Sequence, residues 1–311
     1  MKKKILVCGS MAYDSIMIFK DHFKNHIMPD QIHQLNVAFY VPEMKKNCGG
    51  AAGNIGYNLN LIGANFNIMA TLGIDSDDYL SWLNQRNIAT NYIRKLPNFY
   101  TAQAYITTDL DDNQITAFHP GAMSESHHFS IKDIHESLDL VLISPDGKQG
   151  MIDHADECFE LNIPFIFDPG QGLPMFSKEE LETFIIKASY ITVNDYESQM
   201  LANNSGFSID EIASKVNALI ITKGSKGSII YEKGTKLTVP AFTVKQTIDP
   251  TGCGDAFRAG LSYGISKEWD IHKSVILGSA LASFKIKYNG GQNHRPSVEE
   301  IETLTGFKLN P

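Results

Sequence analysis

The sequence predicts an α/β fold of three layers (α/β/α): a mainly parallel central sheet covered by helices on both faces, with a small β-sheet lid inserted early in the chain. Apolar runs of strand length recur at 5–8, 140–144, 164–168, 190–193 and 219–222, and helical patterns separate the later ones. Two stretches, 35–41 and 101–119, lack intervening helices and predict a small separate sheet. No internal repeat or low-complexity linker divides the chain. One domain is therefore expected over residues 1–311, with lid strands from about 15–42 and 100–120.

In chain order, Ile5-Leu6-Val7-Cys8 ends in Gly9-Ser10, as a buried strand feeding a loop does. The run breaks too early, and meets Asp14 too soon, for a signal peptide. Leu35, Val37, Phe39 and Val41 alternate with Asn36, Ala38 and Tyr40, a period of two that predicts a strand with one apolar face. Gly49-Gly50 leads into a helix that Gly63 can end. Residues 101–108 and 114–119 predict a hairpin with 109–113 as its turn. Long helical patterns over 254–265 and 271–288 close the chain.

Composition limits the function classes. The 311 residues are 43% hydrophobic and 20% charged, which suits a globular protein with ample core, and the net charge is −8. An acidic chain without a basic stripe argues against nucleic acid and anionic membranes as partners. Cys8, Cys48, Cys158 and Cys253 are scattered and form no Cys-x-x-Cys pair, so a reducing cytoplasm is expected rather than a disulfide scaffold. The ten histidines show no metal-ligand spacing.

The most informative segment runs Asp249-Pro250-Thr251-Gly252-Cys253-Gly254-Asp255-Ala256-Phe257-Arg258-Ala259-Gly260-Leu261. Small residues at Gly252, Cys253 and Gly254 let backbone N–H groups converge at a helix mouth, where unpaired donors and the helix dipole suit a phosphate. Asp255 beside that cradle can take a proton from a hydroxyl that attacks the held phosphate. Without the surrounding residues, the same pattern reads as a glycine turn before an ordinary helix. The whole string resembles the C-terminal signature of the ribokinase (PfkB) family of carbohydrate and nucleoside kinases, with Pro250 and Cys253 where the usual form has Thr and Ala. The thiol of Cys253, near a helix N-terminus, is expected to have a lowered pKa and to react with oxidants.

A second string, Gly49-Gly50-Ala51-Ala52-Gly53-Asn54-Ile55-Gly56, resembles the family's N-terminal Gly-Gly-x-x-x-Asn signature; alone it reads as a glycine-rich helix start packed on a sheet. Asn54 can both donate to and accept from sugar hydroxyls. Asp14 is expected in a loop beyond the first strand, where ligands bind in open α/β sheets. The resemblance implies that Asp14 grips the sugar, alongside Gly49, Gly50 and Asn54.

Asn194-Asp195-Tyr196-Glu197 resembles the family's Asn-x-x-Glu motif, which implies that Glu197 helps to place Mg2+ through water; the same residues also read as a helix cap. The run Thr222-Lys223-Gly224-Ser225-Lys226-Gly227 resembles the nucleotide-side loop, and no Walker loop occurs. The resemblance thus implies ATP contacts from Asn194, Thr222, Gly224, Gly227 and Gly254. Asn289-Gly290-Gly291-Gln292 resembles the turn that closes the nucleotide pocket, and counting back from it puts Ser279 where many members carry an Asn near adenine.

Together these readings imply an ATP- and Mg2+-dependent kinase, with a monovalent cation such as K+ as a further candidate. Strings such as His119-Pro120-Gly121-Ala122-Met123 and Asp168-Pro169-Gly170-Gln171 look like those of the adenosine- or nucleoside-kinase branch. A nucleoside 5′-hydroxyl is the leading acceptor and a sugar such as ribose or fructose the alternative. A third reading, a non-catalytic nucleoside-binding regulator, has no use for the retained Asp255. Phe39, Tyr40, Tyr105, Phe118 and His119 are candidates for holding the base. An apolar lid edge would allow a monomer or a homodimer through the lid.

Overall fold

The computed structural model describes residues 4–27, 36–111 and 113–309. The chain opens with β1 (Ile5–Cys8), β2 (Ala12–Ile18) and β3 (Glu43–Gly49), then α1 (Ala51–Leu61), β4 (Phe66–Leu72), α2 (Asp77–Asn84) and β5 (Ile93–Lys95). The hairpin β6 (Ala102–Thr108) and β7 (Gln114–His119) follows. An alternating run comes next: β8 (Leu140–Ile143), α3 (Lys148–Glu160), β9 (Phe165–Phe167), α4 (Lys178–Lys187), β10 (Tyr190–Asn194), α5 (Asp195–Ser205), α6 (Ile209–Lys215) and β11 (Ala218–Thr222). The strands β12 (Ser228–Glu232) and β13 (Thr235–Val239) precede the closing helices α7 (Cys253–Ser266), α8 (Ile271–Lys285) and α9 (Val298–Thr305).

Among the described residues the large sheet has the order β13-β12-β11-β10-β9-β8-β1-β4-β5. It is parallel from β5 through to β11, and β12 and β13 run antiparallel at one edge. Its central strands are wholly buried: Ile5, Leu6, Val7 and Cys8 are 1% exposed or less. One apolar cluster joins β1 and β8 to α1, α7 and α8, and another joins the opposite face to α3, α4 and α5. That is the predicted three-layer arrangement.

The second sheet has the order β3-β2-β6-β7, with β2 and β6 parallel and the outer pairs antiparallel. Three sequence expectations change here. Residues 36–41 form no strand, and Leu35 and residue 112 of the hairpin turn lie outside the described residues. Phe39 packs against aromatic neighbours instead: its ring stands 4.9 Å from Phe19 and 5.0 Å from Phe23, and touches His26 edge-on. Phe39 therefore belongs to a small aromatic core, not to a base pocket. The strand lies further on, at Glu43–Gly49, where charged residues hid it from a hydrophobic pattern. Asp14, expected in a loop, sits inside β2 opposite Asn47 and Ala104.

α7 and α8 meet through glycines. A Cβ added at Gly260 would lie 2.5 Å from the Gly278 nitrogen, and one at Gly278 would lie 2.6 Å from the Phe257 carbonyl oxygen. This close approach seats the helix that bears Asp255. A side chain at Gly260 would push the helices apart at a cost of about 1–3 kcal/mol. Gly260→Val is expected to lower the thermal midpoint by roughly 5–10 °C, as read by circular dichroism; an unchanged midpoint would show that the packing tolerates separation.

Candidate active site

The site gathers at the carboxyl ends of the parallel strands. β1 runs into Gly9-Ser10, β8 into Ser144-Pro145-Asp146, β9 into Asp168, β10 into Asn194 and β11 into Thr222. Chains diverging above a sheet leave a crevice there. α7 points its N-terminus into this crevice.

Gly252 caps α7 with φ of 77°, a left-handed conformation that favours glycine, and a Cβ there would stand 2.9 Å from the Gly291 Cα. The Cys253 amide donates to the Pro250 carbonyl at 3.1 Å, so Cys253 closes the turn instead of offering a free donor. The N–H groups of Gly254 and Asp255 have no partner among the described residues, so this turn is the candidate anion cradle. The expected reactive thiol is corrected too. Burial pushes the Cys253 pKa up to about 11, and the neighbouring Asp249 and Asp255 add to that rise.

Asp255 is held from the other end of the chain. The Asn54 amide donates to its Oδ2 at 2.8 Å. Gln292 donates to the Asn54 Oδ1 at 3.1 Å and to the Tyr79 hydroxyl at 3.0 Å, and the Trp82 indole donates to Gln292 at 2.8 Å. The closing turn thus braces Asn54 rather than only bounding a nucleotide pocket. Gly50 caps α1 with φ of 81°, and the following Ala51 amide donates to the Ser10 hydroxyl at 3.1 Å. A Cβ at Gly49 would collide with the Asp14 carboxylate, so that glycine makes room for it. Burial, with Asp255 and Asp249 nearby, pushes the Asp14 pKa up to about 6. The Asp255 pKa is also raised, chiefly by burial; Arg258 and the Asn54 amide oppose that rise.

On the other side of Asp255, Arg258 and Asp168, to which sequence reasoning gives no role, meet Glu197. The Arg258 guanidinium, one turn along α7, pairs with the fully buried Asp168 and stands 3.9 Å from Glu197. A Cβ at Gly254 would collide with the same guanidinium, which puts its charge against the cradle. Asn194 and Glu197 form a reciprocal capping box on α5, with both bonds at 2.8 Å. Thr222 is the neighbour of Asn194 across the sheet, and its hydroxyl reaches the Val193 carbonyl at 3.5 Å. Gly224 has open space where a Cβ would stand, whereas Gly227 is pressed on the Val239 carbonyl. Ser279 is buried within α8.

Strand register sorts the aromatic candidates of the small sheet. Asp14 pairs with Ala104, and Ala104 with Phe118, so Phe118 shares the face of Asp14 along with Ile16 and Ile106. Tyr105 and His119 fall on the opposite face by the same register. Phe118 is 54% exposed, free to meet a ligand.

Residues 2–298 match the pfkB family carbohydrate kinase profile. The chain belongs to this family. A nucleoside kinase of Methanocaldococcus jannaschii is 33% identical over 86% of this kinase and 88% of its own length. The solved structure of a Burkholderia thailandensis nucleoside kinase in complex with inosine is 46% identical, with a TM-score of 0.87 over 98% of this chain and 99% of that one. The same Burkholderia protein in complex with ADP-inosine gives a TM-score of 0.85 over 98% and 97% of the two chains. The kinase is an ATP-dependent phosphotransferase.

The raised pKa of Asp14 has a thermodynamic consequence. Without ligand, folding near neutral pH keeps this carboxylate ionised where it prefers a proton, which destabilises the folded state. That penalty is fully present above about pH 6 and fades as pH falls toward the unfolded value of roughly 4. Asp14→Asn is therefore expected to melt higher than the parent at pH 7.5, with the gap closing by pH 4. A gap that is absent or grows on acidification would contradict the burial argument.

Proposed function

We propose that this kinase transfers the γ-phosphoryl group of ATP to the 5′-hydroxyl of a nucleoside, with Asp255 as general base. The observation that carries the reading is the Asp255 carboxylate, fixed by the Asn54 amide at 2.8 Å beside the free N–H groups of Gly254 and Asp255. Asp255 accepts the hydroxyl proton as the 5′-oxygen attacks. The two amides and the Arg258 guanidinium stabilise the charge on the group in flight.

Asp14, Gly49, Gly50 and Asn54 form the ribose end. An ionised Asp14 accepts from the 2′- and 3′-hydroxyls, and Phe118, with Ile106, offers the base an apolar platform on the same face of the small sheet. That sheet acts as a lid over the single catalytic domain of residues 1–311 and excludes water that would otherwise take the phosphoryl group. The 46%-identical relative in complex with inosine favours a purine nucleoside. A second reading, a sugar such as ribose as acceptor, is favoured by a Lactococcus lactis ribokinase 31% identical over 68% of this chain.

ATP lies toward Asn194, Thr222, Gly224 and Gly227, with its γ-phosphate at Gly254. The oxygen-rich set Glu197 and Asp168 suits Mg2+; since Glu197 is already engaged in its capping box and near Arg258, it would hold the ion through water. Held there, a magnesium ion would offset negative charge on the phosphates of ATP. We place the protein in the cytoplasm: Cys8, Cys48, Cys158 and Cys253 are all free thiols, and no helix among the described residues is long and apolar enough to cross a membrane. The exposed lid face leaves a homodimer through the lid open beside a monomer.

Asp255→Asn is expected to lower turnover by about 10²–10⁴-fold while nucleoside binding, followed by calorimetry, survives. ADP release measured with adenosine, inosine, guanosine, cytidine, ribose and fructose should be fastest with a purine nucleoside; near-parent turnover of Asp255→Asn would refute the base assignment. Phe118→Ala is expected to raise the nucleoside KM by about tenfold, and Tyr105→Ala to leave it nearly unchanged. Equal effects of the two would remove the face assignment.

A further inference from the structure

α8 ends on Lys285. A lysine in the last turn of a helix ordinarily serves the dipole from water. Lys285 is instead 0% exposed. Its ammonium donates to the Asp249 carbonyl at 2.6 Å and to the Tyr288 carbonyl at 3.1 Å, and stands 3.8 Å from the Asp249 Oδ2. Burial draws its pKa below the usual lysine value, and Asp249 works against that shift. Partners that only accept hydrogen bonds favour a donating ammonium.

These contacts tie together the two segments that build the anion cradle. Asp249 accepts from the Thr251 amide at 2.8 Å and from the Gly290 amide at 2.7 Å. The Ile248 amide donates to the Ile286 carbonyl at 2.8 Å. The first segment leads directly into Gly252 and α7. The second carries Gly291, whose Cα lies where a Gly252 Cβ would press at 2.9 Å, and Gln292, which braces Asn54. Lys285 therefore sits at the joint between both loops.

We propose that the Lys285 ammonium is the built-in cation of the phosphate cradle, a positioning residue that occupies the oxygen cluster a monovalent ion would otherwise fill. Clustered carbonyl oxygens hold K+ by replacing its water shell, and an ammonium tethered in the same cluster does so without binding from solution. The kinase is then independent of K+, contrary to the expectation that its family resemblance allows. The inference rests on the phosphoryl-transfer reading above.

The test is steady-state ADP release by the full chain in a buffer whose only cations are Mg2+ and N-methylglucamine, with and without added KCl. The parent enzyme is expected to change kcat by less than about twofold on adding KCl. Lys285→Ala should lose about 10–100-fold in kcat with little change in nucleoside KM, because the loops shift while the ribose end stays. KCl or NH4Cl should restore part of that loss. Lys285→Met, whose chain fills the space without charge, should not be restored. Severalfold activation of the parent by K+ would overturn the proposal, as would parent-level turnover of Lys285→Ala without a cation. A loss in Lys285→Ala that neither salt repairs, or equal repair of both variants, would also overturn it. Should the variants fail to fold, the parent titration decides alone. With inosine as acceptor throughout, no turnover of the parent in any buffer, K+ included, would sink the nucleoside reading and this inference with it.

Discussion

One hydrogen bond, from the Asn54 amide to the Asp255 carboxylate, joins residues 201 apart in sequence and fixes the carboxylate proposed as general base. A general base must be ionised to act, and burial makes ionisation of Asp255 costly. The fold reconciles the two demands by surrounding Asp255 with partial and full positive charge: the Asn54 amide, the Arg258 guanidinium and, further back, the Lys285 ammonium. Asn54 is itself braced by Gln292, which in turn meets Tyr79 and Trp82. The orientation of the base thus depends on α1, α2, α7 and the closing turn together.

Close backbone approach is what makes that convergence possible. α7 can lie near α8 only because Gly260 and Gly278 face each other, and Gly252 can lie against Gly291 only because neither carries a side chain. The parallel sheet directs β1, β9, β10 and β11 to the same rim, so Asp168, Asn194 and Thr222 reach the crevice from separate strands. The acidic residues Asp14, Asp168, Glu197, Asp249 and Asp255 crowd this rim. They suit a cation-accompanied anion as ligand better than a bare one.

Much of this was legible in the sequence, for a physical reason. Buried parallel strands are short apolar runs bounded by loops, so 140–144, 190–193 and 219–222 declare themselves, as do glycines that must hold a left-handed turn or admit a neighbour. The small sheet was harder to read. β3, Glu-Met-Lys-Lys-Asn-Cys-Gly, is mostly polar, and its pairing with β2 is a tertiary fact that no local pattern carries. Phe39 serves an aromatic cluster instead of a strand. Asp14 was placed in the right region but on the wrong element.

Residues that act through others were also hidden. Arg258 reads as a helix-surface charge until Asp168 is brought beneath it from β9, and Gln292 reads as part of a turn until Asn54 arrives from the first third of the chain. Lys285 closes a helix that already carries Lys273 and resembles an ordinary dipole complement. The Cys253 thiol misled in the opposite direction: helix position argues for a low pKa, but burial and two carboxylates prevail. The most direct measurement of the central claim is a crystal structure with ADP, Mg2+, aluminium fluoride and a purine nucleoside bound together. Fluorides are expected within hydrogen-bonding distance of the Gly254 and Asp255 amides, with the nucleoside 5′-oxygen on the Asp255 carboxylate. A fluoride group held elsewhere, or a 5′-oxygen turned away from Asp255, would contradict it.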